Sequence, residues 1–256
     1  MPCGIFKRLH ALILAAVAVW CFTTALVGGL VGLVLGNIRL PVIVFAASSP
    51  GAGAGANIGI SGLAAATAGI AHVRAGRVDW RLVRWMAPVS VLGAVAGSAV
   101  AAALPGHVLL VVIGVALLVF GIDLLRPRRA PTRPPRREGL PAAVVAGALI
   151  GFLGGVVGLI LGSLRMPALL RFVGTDAIRV VGTNLLVGVC VGIAGIAAHA
   201  PSGVDWTLFA IGSAASIPGA LLGARLTGRL DERRLLQAVG LILLVAGTAA
   251  ILQSVF

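Results

Sequence analysis

Long runs without a charged residue dominate the chain. These runs cover residues 9–38, 40–73, 85–122, 139–164, 180–204, 206–224 and 235–256. A helix needs about 20 apolar residues to cross a bilayer, so the longest runs must hold more than one element. Leu104-Pro105-Gly106 and Ser48-Ser49-Pro50-Gly51 divide two of the runs, because proline and glycine end helices. The pattern predicts eight spans, at about 10–36, 53–73, 85–104, 107–125, 140–162, 180–200, 206–224 and 235–255.

Two apolar pieces remain between the predicted spans. They cover residues 38–48 and 164–174 and are too short to cross a bilayer alone. We expect each to be a half-helix or a re-entrant segment.

Composition decides the class of protein. Hydrophobic residues make up 59% of the chain and charged residues only 11%, whereas about 25% is usual in soluble domains. This excludes a water-soluble globular fold. It also excludes an ordinary nucleic-acid binder, although 20 Lys and Arg against 7 Asp and Glu give a net charge of +13. We expect an all-α integral membrane protein with about eight transmembrane helices.

Clusters of basic residues predict the orientation. Lys7 and Arg8 precede the first span, four arginines lie within 74–84, and six lie within 126–137. With an even number of spans between them, all three clusters face the cytoplasm by the positive-inside rule. We therefore expect both termini and the linker 126–138 on the cytoplasmic side of the inner (plasma) membrane. Four arginines within 225–234 are an exception, because eight spans place them outside.

The chain contains an internal repeat with an offset of 126 residues. Residues 28–41 read GGLVGLVLGNIRLP and residues 154–167 read GGVVGLILGSLRMP. The repeat predicts a first transmembrane half at 1–125, a basic linker at 126–139 and a second half at 140–256. Four spans in each half make the halves parallel. If the short segment also crosses, each half has five spans and the halves are inverted; the exceptional arginine cluster favours this second count.

Each half has a predicted helix break. Gly36 and Gly162 precede Pro41 and Pro167 by five residues in each case. Glycine followed by proline at apolar depth exposes backbone groups that lipid cannot satisfy, so such breaks persist where they line a cavity. The N-terminus of a half-helix also favours an anion.

Arg39 and Arg165 lie inside these breaks, at the same repeat position and between apolar residues. A charged side chain at mid-membrane costs about 2.5–3.5 kcal/mol on the insertion scale, so it needs a reason. One interpretation is that both bind an anion between the repeats. The other is that two spans end here and both side chains reach the interface.

Polar residues near the breaks complete the candidate site. Asn57 and Asn184, at the start of the next spans, could cap a helix or donate to an anion. Ser48 and Thr183 are further hydroxyl candidates. No carboxylate lies deep in any predicted span, so the sequence offers no acidic proton carrier.

An enzyme is the weaker interpretation. Gly59-Ile60-Ser61-Gly62 has the form of an intramembrane serine protease motif, with His72 or His199 as a base. The second repeat lacks the motif, and the chain has no His/Cys cluster or nucleotide-binding loop. We expect no catalytic residue, no metal and no cofactor.

These patterns together resemble the sulfite exporter TauE/SafE family, also called 4-toluene sulfonate uptake permeases. The resemblance rests on the duplicated glycine-rich break ending in proline, the Gly-x-Asn stretch, the Arg-x-Gly-x-Val-Asp-Trp loop at 74–80 and a GxxxG pattern in the following span. It runs over about residues 10–255. It implies an inner-membrane permease or exporter of sulfite, sulfonates or related small anions. Gly-Asn-Ile-Arg and Gly-Ser-Leu-Arg, where the family has glycines and apolar residues, are departures from its pattern.

The expected function is therefore secondary transport of a small sulfur oxyanion at the interface of the two repeats. The alternative is a non-transporting membrane scaffold or lipid-binding subunit, whose arginines would face headgroups. Expected partners are a small anionic substrate, the lipid bilayer and, in a homo-oligomer, further copies of the chain; nucleic acid is not expected.

Overall fold

Helices account for nearly all of the described chain. The computed structural model describes residues 2–100, 139–157, 176–199, 203–227 and 232–255, and single residues or short pieces within 111–126, 160–169 and at 229. The helices are α1 (Pro2–Val31), α2 (Gly36–Ala46), α3 (Pro50–Arg74), α4 (Trp80–Val100), α5 (Gly139–Val157), α6 (Ala177–His199), α7 (Trp206–Thr227) and α8 (Glu232–Val255). The described residues from 111 to 125 are helical as well, and the described part of the chain contains no strand.

The all-α membrane class is confirmed. Within the part of the chain that the structure describes, four helices contain apolar stretches long enough to cross a membrane, and two more contain shorter ones. The long stretches are Ala11–Val31, Ala52–Arg74, Ala177–Ala198 and Trp206–Thr227; the shorter ones are Val144–Gly155 and Gln237–Ala249. Large apolar side chains such as Leu92, Leu149 and Ile193 point outward, as a lipid-facing surface requires.

The helix break of the first repeat lies earlier than predicted. Helix α1 ends at Val31, and Gly32 has a φ of +70°. The amide of Leu33 donates to the carbonyl of Gly28 at 2.9 Å, which closes the helix end in the way glycine usually permits. Residues 33–35 are not helical, and α2 begins at Gly36. The prediction of a break between Gly36 and Pro41 is therefore wrong, since both lie within α2.

The two halves exchange packing partners. Helix α1 packs in parallel on α7 of the other half, and its repeat equivalent α5 packs in parallel on α4. Gly219 and Gly223 let α7 approach the carbonyls of Phe22 and Leu26, and Gly93 does the same for α4 against Ala148. Phe22 and Ala148 are themselves 126 residues apart, so the contacts repeat as the sequence does. Small residues at these positions permit the close approach that holds membrane helices together.

Helices α3 and α6 cross at the centre of the molecule. A Cβ on Gly192 would lie 2.8 Å from the Cα of Gly62, so the backbones nearly touch. On one side of this crossing Gly69 contacts Leu186, and on the other Gly195 contacts Ile58. As the residue number of the contact rises along α3, the number of its partner on α6 falls. The two equivalent helices are therefore antiparallel.

A second pair of equivalent segments shows the same relation. Gly114 contacts the carbonyl of Gly247, and Gly121 contacts that of Gly240. These segments are again antiparallel and related by the repeat. Equivalent helices that meet antiparallel require a two-fold axis perpendicular to them, in the membrane plane. The alternative left open by the sequence is thus decided in favour of inverted halves.

Two of the four basic clusters, 74–84 and 225–234, lie at one end of the bundle. Thr227 of α7 donates to the carbonyl of Leu30 in α1 at 2.8 Å, and Gly182 contacts the carbonyl of Arg77. Gly32, near Leu30, contacts Val181, the neighbour of Gly182, so both contacts lie at the same end of the bundle. We call this the basic end: it carries the ends of α1, α3 and α7 and the start of α6. Its arginines on described residues are Arg74, Arg77, Arg81, Arg84, Arg126, Arg179, Arg225, Arg229, Arg233 and Arg234.

Helix directions correct the predicted orientation. Helix α1 has 30 residues, about 45 Å, so Lys7 and Arg8 lie at the opposite end from the basic end. The prediction that the N-terminal cluster shares a side with the 74–84 cluster is therefore wrong. The prediction assumed an even number of spans between the two clusters, but the short segment 32–46 also crosses the bundle and makes the number odd. The cluster at 225–234, which the eight-span prediction placed outside, lies at the basic end. Arg126 lies there too, because the segment before Arg126 is antiparallel to α8, which starts at this end. The other linker residues, 127–138, lie outside the described residues.

Inverted halves predict opposite accessibility for repeat-equivalent positions. Arg81 and Thr207 are 126 residues apart, and each is the exposed second residue of its helix. In a background lacking native cysteines, we expect a membrane-impermeant thiol reagent applied to intact cells to label only one of Arg81→Cys and Thr207→Cys. Both should be labelled after permeabilisation. Labelling of both or neither in intact cells would contradict the inverted arrangement.

Candidate functional site

Arg39 is buried and bound entirely to neutral groups of α3. Its exposed fraction is 2%. Its Nε donates to the Oδ1 of Asn57 at 2.9 Å, and its Nη2 donates to the backbone oxygen of Asn57 at 3.2 Å and to the hydroxyl of Ser61. The interpretation in which Arg39 reaches a membrane interface is therefore wrong. The guanidinium instead ties the start of α2 to the middle of α3.

The local sequence explains how α2 approaches α3 so closely. The amide Nδ2 of Asn57 donates to the carbonyl of Gly36 at 3.1 Å. A Cβ on Gly36 would lie 2.7 Å from the hydroxyl oxygen of Ser61, so a larger residue has no room there. Glycine at the first position of α2 is thus required by the contact with α3 rather than by backbone conformation.

Arg165 occupies the equivalent position in the second repeat, also fully buried. Its Nη1 lies 3.5 Å from the Oδ1 of Asn184, at the limit of hydrogen bonding. Its Nε and Nη2 have no hydrogen-bond partner within the described part of the chain. The two arginines are equivalent in sequence but differ in their contacts.

Asn184 joins the breaks of both repeats. Its Nδ2 donates to the carbonyl of Gly162 at 3.0 Å and to that of Gly32 at 2.6 Å. Gly162 in turn packs against Val34, in the unwound segment of the first repeat. One side chain therefore binds two backbone carbonyls near the breaks, one from each half.

The two clusters lie at different levels of the α3–α6 pair. The contacts Ile58–Gly195 and Gly69–Leu186 are eleven residues apart on α3, which is about 16 Å. Asn57 lies beyond the first contact and Asn184 beyond the second. Each arginine therefore has its own cluster, and the two guanidinium groups do not converge on one position in this structure.

A small cavity adjoins the first cluster. It has a volume of about 20 Å³ and is lined by Arg39 and Ser61, by Gly28 and Leu33 near the break, and by Leu185 of the other repeat. This is room for about one water molecule. In this conformation the first cluster is closed to a larger ligand.

The described aspartates make their hydrogen bonds at the starts of helices and not with either arginine. Asp79 and Asp205, at the same repeat position, accept from backbone amides in the first turns of α4 and α7. Asp176 does the same for α6. Among the described side chains, no acid therefore neutralises Arg39 or Arg165. A buried, unpaired positive charge is costly, and an anion is the group that would remove the cost.

The remaining predicted residues fall outside these clusters. Ser48 is exposed at the end opposite the basic end, where its backbone amide contacts Asp205. Thr183 is buried, but its hydroxyl donates to the carbonyl of Arg179 and accepts from the amide of Asp79. It therefore links the start of α6 to the residue that precedes α4. Pro41 has helical backbone within α2, and Pro167 lies outside the described residues.

Ser61 is the residue that sequence reasoning assigned to the wrong role. It appeared only in the protease interpretation, yet it accepts from Arg39. Ser61 and His72 are eleven residues apart on one helix, about 16 Å, which is too far for a nucleophile and its base. The spacing of Ser61 four residues after Asn57 could have placed both on one face of α3.

Inverted repeats, a discontinuous helix with its N-terminus inside the bundle, and buried arginines beside that break are features found in many secondary transporters. The profile of the family described as sulfite exporter TauE/SafE matches residues 14–250. The chain belongs to this family. It is a membrane transporter and not an enzyme.

One curated relative supports the assignment. The probable membrane transporter protein YjnA of Bacillus subtilis (strain 168) is 27% identical over 240 residues, which covers 86% of this chain and 94% of the relative. No solved structure is detectably similar to the chain.

The double role of Asn184 predicts a large stability effect. Asn184→Leu leaves the buried carbonyls of Gly32 and Gly162 without their amide donor, at about 1–3 kcal/mol each. We expect the melting temperature of purified protein in detergent to fall by on the order of 10 °C. Ile193→Ala, at an exposed position of the same helix, should change it little. Equal melting temperatures for Asn184→Leu and the parent would show that the amide does not hold the breaks.

Proposed function

We propose that the protein is a secondary permease or exporter of a small anion, most simply sulfite, an organosulfonate or a related sulfur oxyanion, bound at the interface of the two repeats. The single observation that carries the proposal is the pair of buried arginines with no acidic partner among the described side chains. Such charges destabilise an apolar bundle unless they serve a ligand. A sulfur oxyanion would supply both the missing charge and the missing acceptors.

The unwound segment favours the same ligand class. Helix α2 begins at Gly36 with no side chain capping its first amides. The N-terminus of a helix carries a partial positive charge and free N–H groups, both of which favour an anion. Arg39, Asn57 and Gly36 form this part of the proposed site in the first repeat, and Arg165, Asn184 and Gly162 form it in the second.

A non-transporting scaffold is the less favoured alternative. A scaffold has no need of a buried charge, and its arginines would face lipid headgroups. Arg39 and Arg165 are instead enclosed by protein, with exposed fractions of 2% and 0%.

We further propose that the basic end faces the cytoplasm of a bacterial-type inner membrane. All the described arginines of the α3–α4 and α7–α8 regions lie there, and among the described residues the basic cluster at the other end is Lys7 and Arg8. The positive-inside rule then puts the linker in the cytoplasm and both termini outside. Under this orientation Thr207→Cys, rather than Arg81→Cys, is the variant that the impermeant reagent labels.

Removing both buried charges tests the proposed function. In proteoliposomes, we expect the parent to exchange radiolabelled sulfite or a small sulfonate, and Arg39→Gln combined with Arg165→Gln to abolish this exchange. A charge-assisted hydrogen bond is worth about 1.5–3 kcal/mol, so the affinity should fall at least about tenfold.

The matched control is Arg81→Gln combined with Arg84→Gln, which removes two exposed arginines of α4. This variant should transport as the parent does at equal protein content. Normal exchange by the variant lacking both buried arginines would remove the anion site from the proposal.

A further inference from the structure

The two repeat-equivalent arginines use the same edge of the guanidinium differently. In Arg39, both Nε and Nη2 donate to oxygens of α3. In Arg165, the same two nitrogens are buried and have no partner among the described residues. The asparagine Oδ1 also meets a different nitrogen in each repeat, Nε in Arg39 and Nη1 in Arg165.

The sequence contains a cause for this difference. The repeat that pairs Asn57 with Asn184 also pairs Ser61 with Gly188, since each follows its asparagine by four residues. Ser61 supplies a hydroxyl acceptor to Nη2 of Arg39, whereas Gly188 has no side chain to offer Arg165. The second cluster lacks an acceptor that the first contains.

The chemistry of the free edge identifies what fits it. Nε and Nη2 of a guanidinium donate in parallel, and this fork matches two oxygens of one oxyanion. In the first cluster the oxygens of Asn57 and Ser61 occupy these donors. A sulfonate, sulfite or sulfate group presents the same pair of acceptors together with the negative charge that the protein oxygens lack.

We propose that Arg165 is the anion-binding arginine, that Gly188 keeps its Nε–Nη2 edge free for a bidentate oxyanion, and that Arg39 is a positioning residue that fastens α2 to α3. The proposal rests on the function proposed above and divides its two arginines into different roles. The two halves then differ in function: the arginine of the second half binds the ligand, whereas the arginine of the first half binds oxygens of the protein.

Restoring the missing hydroxyl tests the division. Gly188→Ser gives Arg165 an internal acceptor with which the anion must compete, whereas Gly188→Ala adds the same Cβ without the hydroxyl. That Cβ would lie 3.3 Å from a methyl group of Val34, so both variants carry the same packing cost.

The measurement is the melting temperature of the purified full chain, titrated with sulfite, sulfate or methanesulfonate against chloride at constant ionic strength. We expect the half-saturating concentration of the preferred anion to rise about tenfold in Gly188→Ser relative to Gly188→Ala. Equal values in the two variants would overturn the proposed role of Gly188.

A second comparison distinguishes the roles of the two arginines. Arg165→Lys, which cannot reproduce the fork, should raise the half-saturating concentration at least about tenfold. Arg39→Lys should lower the melting temperature without anion, and should raise the half-saturating concentration by a smaller factor than Arg165→Lys does, because the fork of Arg165 stays intact. A loss of affinity in Arg39→Lys equal to that in Arg165→Lys would overturn the division while leaving the proposed function intact. No anion-specific shift in the parent would overturn both.

Discussion

The structure depends on satisfying backbone carbonyls next to helix breaks inside an apolar bundle. Lipid offers no donor, so an open carbonyl at this depth must be served by the protein itself. Two asparagine amides do so: Asn57 donates to Gly36, and Asn184 donates to Gly32 and Gly162. The oxygen of each amide faces an arginine at the same time. One functional group thus stabilises the break and orients the charge, which is why a neutral amide, and not an acid, suits this position.

Glycine determines how the rest of the bundle is assembled around the breaks. At Gly62 and Gly192 the two central helices come nearly into backbone contact, and Gly219 and Gly223 bring α7 onto α1. Because packing replaces the hydrophobic effect as the main force between helices in lipid, such close approach matters more than apolar character. The first helix of each half also packs on the other half, so neither half buries its own surfaces alone.

The sequence predicts the helices and the duplication well, because charge-free runs and repeated glycines are direct consequences of the membrane environment. It also identifies Arg39, Arg165, Asn57 and Asn184 as buried polar groups of interest. It misplaces the break, since Gly32 and Gly36 are equally permissive in the sequence and only the structure shows that Gly32 has the positive φ at which the helix ends. Orientation failed for a related reason, because the parity of crossings depended on a segment of eleven helical residues. The unequal occupation of the two arginines needs coordinates to be seen.

The antiparallel crossing of α3 and α6 has a consequence for the origin of the chain. Halves related by an axis in the membrane plane are what a single ancestral half would give if it could insert in either direction and pair with an inverted copy of itself. Fusion of two such copies fixes one orientation for each, after which either copy is free to change alone. Ser61 and Gly188, at equivalent positions on these two helices, are a difference that a symmetric ancestral dimer could not have encoded.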